Sequence, residues 1–170
     1  VDMTQLEPYI QNPNRNVVRM LLKTLAYEHQ DDLLPAKWEI EHIFPQKWQT
    51  NYFPDEPDAT IKEKIEHIGN KLPFEKKLNI VAGNGYFGKK KKEYIASKIV
   101  ITKAMGTSDV MDWNLESITK RDIRVSDEVV KIMNRWNNEY LNTPVSEGKA
   151  GEPSEEELAQ IEKFKKNGWI

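Results

Sequence analysis

The stretch Trp38-Glu39-Ile40-Glu41-His42-Ile43-Phe44-Pro45-Gln46 constrains this chain more than any other. Apolar and polar residues alternate along it, which is the period of a half-buried strand. Trp38, Ile40 and His42 share one face, and Glu39, Glu41 and Ile43 share the other. Pro45 ends the ladder because it has no N–H to donate. An acid and an imidazole thus stand side by side where a strand has to turn. That arrangement can place a metal ligand and a proton acceptor at the lip of one cleft.

The rest of the chain is long enough to build a domain around such a strand. Its 170 residues allow one core with a short appendage, and 31% charged against 38% hydrophobic residues suits a soluble, largely helical protein. No run approaches the roughly 20 apolar residues of a membrane span, and no secretory signal is visible. Cysteine is absent, which excludes disulfides and thiolate zinc sites and fits an intracellular location. The opening Val1-Asp2-Met3 reads as the start of an excised fragment, with sequence missing upstream. The net charge of −2 hides an uneven distribution: nine lysines between Lys71 and Lys103 face only Glu75 and Glu93, while seven glutamates between Glu139 and Glu162 face only Lys149. A basic middle and an acidic end make one charged face plausible.

In chain order, Asn12-Pro13-Asn14 reads as a turn and cap for a helix from Arg15 to Glu28, with Val17, Val18, Leu21, Leu22 and Leu25 as its apolar stripe. Asp58 is expected to cap a short helix through Glu66. After the Gly69-Asn70 turn, Lys71-Leu72-Pro73-Phe74 reads as a second strand or extended edge, since Pro73 disfavours a central position. Glu75 to Val81 has helical spacing and stops at Gly83-Asn84-Gly85, and Tyr86 to Ile99 is expected to be another helix. Asp112 to Asn142 reads as one or two helices whose buried side holds Ile118, Ile123, Val129, Val130, Ile132, Met133 and Trp136. The domain reading is 1–143 with a core at 38–97, a Pro/Gly linker at 144–153 and a short acidic helix at 154–170, opened by Ser154-Glu155-Glu156-Glu157.

One echo complicates the choice of histidine. Ile40-Glu41-His42-Ile43 recurs as Ile65-Glu66-His67-Ile68. The first copy has strand character and precedes Phe44-Pro45, whereas the second lies at a helix end before a Gly-Asn turn. Context therefore favours His42 as the chemical histidine.

Strand, loop, extended segment and then a short helix carrying an inward Asn is the order of a ββα-metal site. Glu41-His42-Ile43-Phe44-Pro45-Gln46, then Ile68-Gly69-Asn70, then Asn79 resembles the HNH endonuclease family. Within it, the likeness is to the C-terminal nuclease domain of GmrSD-type restriction proteins, bacterial enzymes that cut foreign and often modified DNA. It covers about Asn14 to Leu141. Leu78 to Asn84 with Phe87, Lys89 and Tyr94 is similar to that domain's helical half, and the Trp136 helix to its closing element.

The resemblance implies an α+β fold, predominantly helical, with a small ββα-metal (HNH) core embedded among helices. It implies a catalytic set of His42 as general base and Asn70 holding the His42 loop, with Glu41 and Asn79 binding Mg²⁺ or Mn²⁺. With so few protein ligands, the substrate phosphate should complete the metal's shell, and the free protein should bind Mg²⁺ weakly. Lys76, Lys77, Lys89, Lys90, Lys91 and Lys92 are expected to engage the DNA backbone. The implied setting is the bacterial cytoplasm, within a larger defence protein whose upstream part hydrolyses nucleotides and senses DNA. Two other classes stay open: a catalytically inactive DNA-binding or sensing module, and a protein-interaction domain. The residues also have bland readings, His42 as a core histidine, Asn70 as a turn residue and the lysine run as a solvated helix face.

Overall fold

The computed structural model describes residues 3–49, 56–142 and 155–166. Its elements are α1 (Met3–Gln11), α2 (Arg15–His29), β1 (Trp38–His42), α3 (Asp58–Ile65), β2 (Lys71–Glu75), α4 (Lys76–Ala82), α5 (Phe87–Ile95), α6 (Val100–Thr107), α7 (Leu115–Asn142) and α8 (Glu155–Lys166). A 3₁₀ turn at Ile68–Asn70 leads into β2. The fold is α+β and predominantly helical, with one two-stranded antiparallel sheet among the described residues.

Two compact units divide the chain, Val1–Asn134 and Arg135–Ile170. In the second, Trp136, Tyr140 and Leu141 are exposed. Trp136 was expected on the buried side of its helix; in the first unit Ile123 and Met133 are also partly exposed, because there α7 turns Asp122, Val125, Ser126 and Val129 inward instead. The expected linker at 144–153 and the capping Ser154 lie outside the described residues.

The first unit holds the hairpin. Asn14 caps α2, its Oδ1 accepting from the amides of Asn16 and Val17 at 3.1 Å each. Asp58 is the first residue of α3 rather than its cap, the cap position being Pro57. Strands β1 and β2 pair in the register His42↔Lys71, Glu41↔Leu72, Ile40↔Pro73, Glu39↔Phe74 and Trp38↔Glu75. The bonds Ile43 N to Asn70 O (2.8 Å) and Lys76 N to Lys37 O (3.1 Å) bracket the ladder. Because bonded pairs alternate in an antiparallel ladder, Ile40↔Pro73 and His42↔Lys71 are non-hydrogen-bonded pairs. Pro73 therefore gives up no ladder bond, which is how a proline fits inside this strand.

Each face of the hairpin is covered. Trp38 and Ile40 pack with Val18, Leu21, Leu22 and Leu25 of α2 and with Val125 and Val129 of α7. Leu72, Phe74 and Ile43 pack with Tyr94 and Phe87 of α5 and with Trp113 and Ile118. Phe74 meets Tyr94 edge-on at 5.2 Å between centroids. The Cβ of any residue replacing Gly106 would strike the backbone of Tyr94 and Ile95, so only glycine lets α6 lie this close to α5. The helix expected over Tyr86 to Ile99 ends at Ile95, and α6 follows separately.

Candidate active site

The alternation along β1 sends Glu41 and His42 to opposite faces. His42 looks onto an open groove of about 370 Å³ lined by Asn12, Pro13, Arg15, Ile40, Gln46, Glu66 and Lys71. Its Nε2 lies 3.2 Å from Glu66 Oε2, and the same oxygen receives Lys71 Nζ at 3.0 Å. Gln46 Nε2 donates to the other oxygen, Oε1, at 3.0 Å. Burial pushes the imidazole below its ordinary 6.5; the hydrogen bond and charge of Glu66 oppose this, the Lys71 charge adds to it, and Glu41 opposes it weakly. The ring is therefore neutral at pH 7. Burial alone would raise Glu66, but hydrogen bonds from Gln46, His42 and Lys71 outweigh it and hold the carboxyl at about 2.

Glu41 points the other way, into α5, and is buried (4% exposed). Tyr94 hydroxyl donates to its Oε1 at 2.8 Å, and Lys90 Nζ sits 2.7 Å from the same oxygen. Lys90, 1% exposed, also donates to the His42 carbonyl at 2.5 Å. Burial lowers the Lys90 ammonium pKa and Glu41 pulls it back up. Burial and the neighbouring carboxylate both raise the Tyr94 phenol, so it stays a donor.

Asn70 is fully buried between the two copies of the echo. Its Oδ1 accepts from Phe44 N at 2.7 Å and Trp113 Nε1 at 3.1 Å, and its Nδ2 donates to Phe44 O and Ile65 O, each at 3.0 Å. All four valences of the amide are used, and they tie the chain just after His42 to the end of α3. The turn that carries Asn70 is fixed from α7. Arg121 donates to the carbonyls of Ile68, Gly69 and Lys71, and Asp122 Oδ1 accepts from Gly69 N at 2.7 Å. Burial, with Arg124 beside it, brings Arg121 down to about 10, still protonated at pH 7. Asp122 Oδ2 takes His67 Nδ1 at 2.7 Å, so the second histidine of the echo is tied to this clamp.

The structure therefore does not gather the expected set into one cleft: His42 faces the groove with Glu66 and Lys71, Glu41 pairs with Lys90 on the opposite face, and Asn70 holds the chain that follows His42. Asn79 is half-buried on α4, and no described hydrogen bond joins its side chain to Glu41 or His42. Lys76, Lys77, Lys89 and Lys92 are exposed. Lys90 does not belong with them: it was expected on the DNA backbone, but it is buried against Glu41 because that carboxylate needs a counter-charge away from water. Lys91 also departs from that expectation, its ammonium bonding the carbonyls of Ser108 and Val110 at 2.6 Å each. Glu66, Lys71, Tyr94 and Asp122 were not singled out from the sequence as partners. Only the repeat of Ile-Glu-His-Ile pointed toward Glu66.

The expected metal donors, a carboxylate and an amide oxygen, are hard oxygens of the kind Mg²⁺ takes. Both described bonds to Glu41 end on Oε1. The donors fit in kind, although a cation there would share its carboxylate with an ammonium. No group of three or more His, Asp or Glu side chains stands as a ready cage among the described residues.

Residues 4–125 match the family model described as GmrSD restriction endonucleases, C-terminal domain, and the chain belongs to that family. The family is one of restriction nucleases, in line with the resemblance read from the Glu-His strand and the Gly-Asn turn. Neither the comparison with curated proteins nor that with solved structures gave a match. Among the described residues no helix is long and apolar enough to cross a membrane.

Proposed function

We propose that this domain is a metal-dependent DNA endonuclease of the HNH type, the cutting part of a larger bacterial restriction protein. The observation that carries the reading is the placement of His42: a neutral imidazole at a strand end, open to a groove with Arg15 and Lys71, with its following loop fixed by Asn70.

In this reading His42 accepts a proton from the water that attacks the phosphodiester phosphorus, which a neutral imidazole can do near pH 7. Asn70 keeps the His42–Phe44 segment in place so that the ring does not drift during attack. Arg15, with the exposed Lys76, Lys77, Lys89 and Lys92, supplies positive charge for the phosphate backbone, giving salt-sensitive affinity without base reading. Glu41 and Asn79 would hold Mg²⁺ or Mn²⁺. When bound, that cation supplies Lewis-acid stabilisation of charge on the phosphoryl oxygens.

His67 is the weaker base by its surroundings. Among the described residues, the open site beside it is lined by Glu56, Glu63 and Glu116 with Lys64 as the one cation, which repels a phosphate chain. The upstream nucleotide-hydrolysing, DNA-sensing partner belongs to the same proposal and rests on family membership.

A second reading has an observation of its own. Lys90 already neutralises Glu41, as it would in a DNA-sensing module that no longer cuts. A supercoiled-plasmid assay with Mg²⁺ or Mn²⁺ separates the two. Relaxed or linear product that disappears with EDTA and in His42→Ala supports the nuclease. Salt-sensitive plasmid binding with no product from the native chain supports the sensing module.

A further inference from the structure

We infer that Glu66 is the positioning residue for His42: its carboxylate accepts a hydrogen bond from Nε2–H of the ring and so leaves Nδ1 as the nitrogen that accepts a proton from water. The inference rests on the nuclease reading and deepens it.

Three observations carry it. First, Glu66 Oε2 lies 3.2 Å from His42 Nε2, within hydrogen-bond reach. Second, the carboxylate is itself held: Lys71 Nζ binds Oε2 at 3.0 Å and Gln46 Nε2 binds Oε1 at 3.0 Å. With an ammonium on the shared oxygen the carboxylate stays ionised, and an ionised carboxylate only accepts. The ring nitrogen facing it must carry the hydrogen. A neutral imidazole has one N–H, so Nδ1 keeps its lone pair.

Third, Lys71 stands opposite His42 in a non-hydrogen-bonded pair, where side chains on one face come closest. The hairpin register therefore places Lys71 beside the ring, and Lys71 in turn binds the Glu66 carboxylate that faces Nε2. His67, next to Glu66 in sequence, uses the opposite nitrogen, Nδ1, toward Asp122. The second Glu-His pair is thus divided, its acid serving His42 and its imidazole serving the clamp on α7.

Nitrogen-15 NMR of the histidine rings in the full chain, at mildly alkaline pH, tests this without metal or DNA. The native protein should show His42 as the Nε2–H tautomer and His67 as the Nδ1–H tautomer. Glu66→Ala should turn His42 into a mixture and leave His67 unmoved, whereas Glu66→Gln, which keeps an acceptor oxygen, should retain most of the Nε2–H form. On plasmid DNA, Glu66→Ala should lower kcat by about 10–100-fold with KM nearly unchanged. A native His42 in the Nδ1–H form, or a tautomer that ignores Glu66→Ala, overturns the inference. If the tautomers behave as stated but the native chain cuts no DNA, the nuclease reading fails while the control of His42 by Glu66 stands.

Discussion

Lys90 Nζ lies 2.7 Å from Glu41 Oε1, with both side chains removed from water. The acid of the Glu-His strand is thus held by a lysine of α5, on the face away from His42. A buried pair of this kind adds little over a well-packed apolar pair, but breaking it strands a charge. Lys90→Met should therefore cost about 3–5 kcal/mol, and a Glu41→Leu/Lys90→Met double variant should recover most of that. Urea unfolding of the single and double variants checks this, and a single-variant loss below about 1 kcal/mol would refute the pairing.

Asn70 should tolerate no substitution. Asn70→Asp keeps the shape but turns two donated bonds, to Phe44 O and Ile65 O, into contacts between acceptors. The expected loss is about 3 kcal/mol or more, from groups left unpaired out of water. Thermal unfolding measures it, and a melting temperature unchanged from the native chain would show that the amide is not holding the loop.

The alternation of Trp38 to Ile43 and the apolar stripe of α2 were legible because period alone specifies them. The second strand was legible as an edge, and the register shows why Pro73 could stay in it. The helix α6 was not expected, since Ile99-Val100-Ile101-Thr102 is a β-branched run with little helical signal of its own. Its place depends on Gly106, a tertiary contact that spacing cannot reveal. The helix α1 carries Pro8 and was not singled out either. At the site, residue types pointed to Glu41, His42 and Asn70, but which cation pairs with which acid is decided by packing. Lys90 was therefore read as part of a surface run, and Glu66 and His67 as a rival site.

Acid should expose Glu66. Its carboxyl is held at about 2 against an ordinary 4.5, so the stability it contributes is present above 4.5 and lost as pH falls toward 2. Glu66→Gln should flatten that part of the stability-against-pH curve and change the rest little. The group is nearly half exposed, so solvent screening keeps the effect modest. Denaturant midpoints measured from pH 6 to pH 2 (about four units, spanning both values) decide it. Parallel curves for the native and Glu66→Gln chains would contradict the prediction.

Gly69 should be fixed by space. A Cβ there would run into the Ile118 carbonyl and into Asp122. Gly69→Ala should cost about 1–3 kcal/mol by forcing α7 away from the turn. The same displacement should weaken the His67–Asp122 contact, which the His67 ring signals report directly.

The most direct test of the central claim sets the two histidines against each other in one plasmid assay, each rate divided by the folded fraction measured in the same buffer. His42→Ala should abolish Mg²⁺-dependent cutting with little change in melting temperature. His67→Ala should lower the melting temperature through loss of its Asp122 contact and keep the cutting rate per folded molecule. Cutting that survives His42→Ala, or that vanishes from fully folded His67→Ala, would contradict the assignment of the chemistry to the groove at His42.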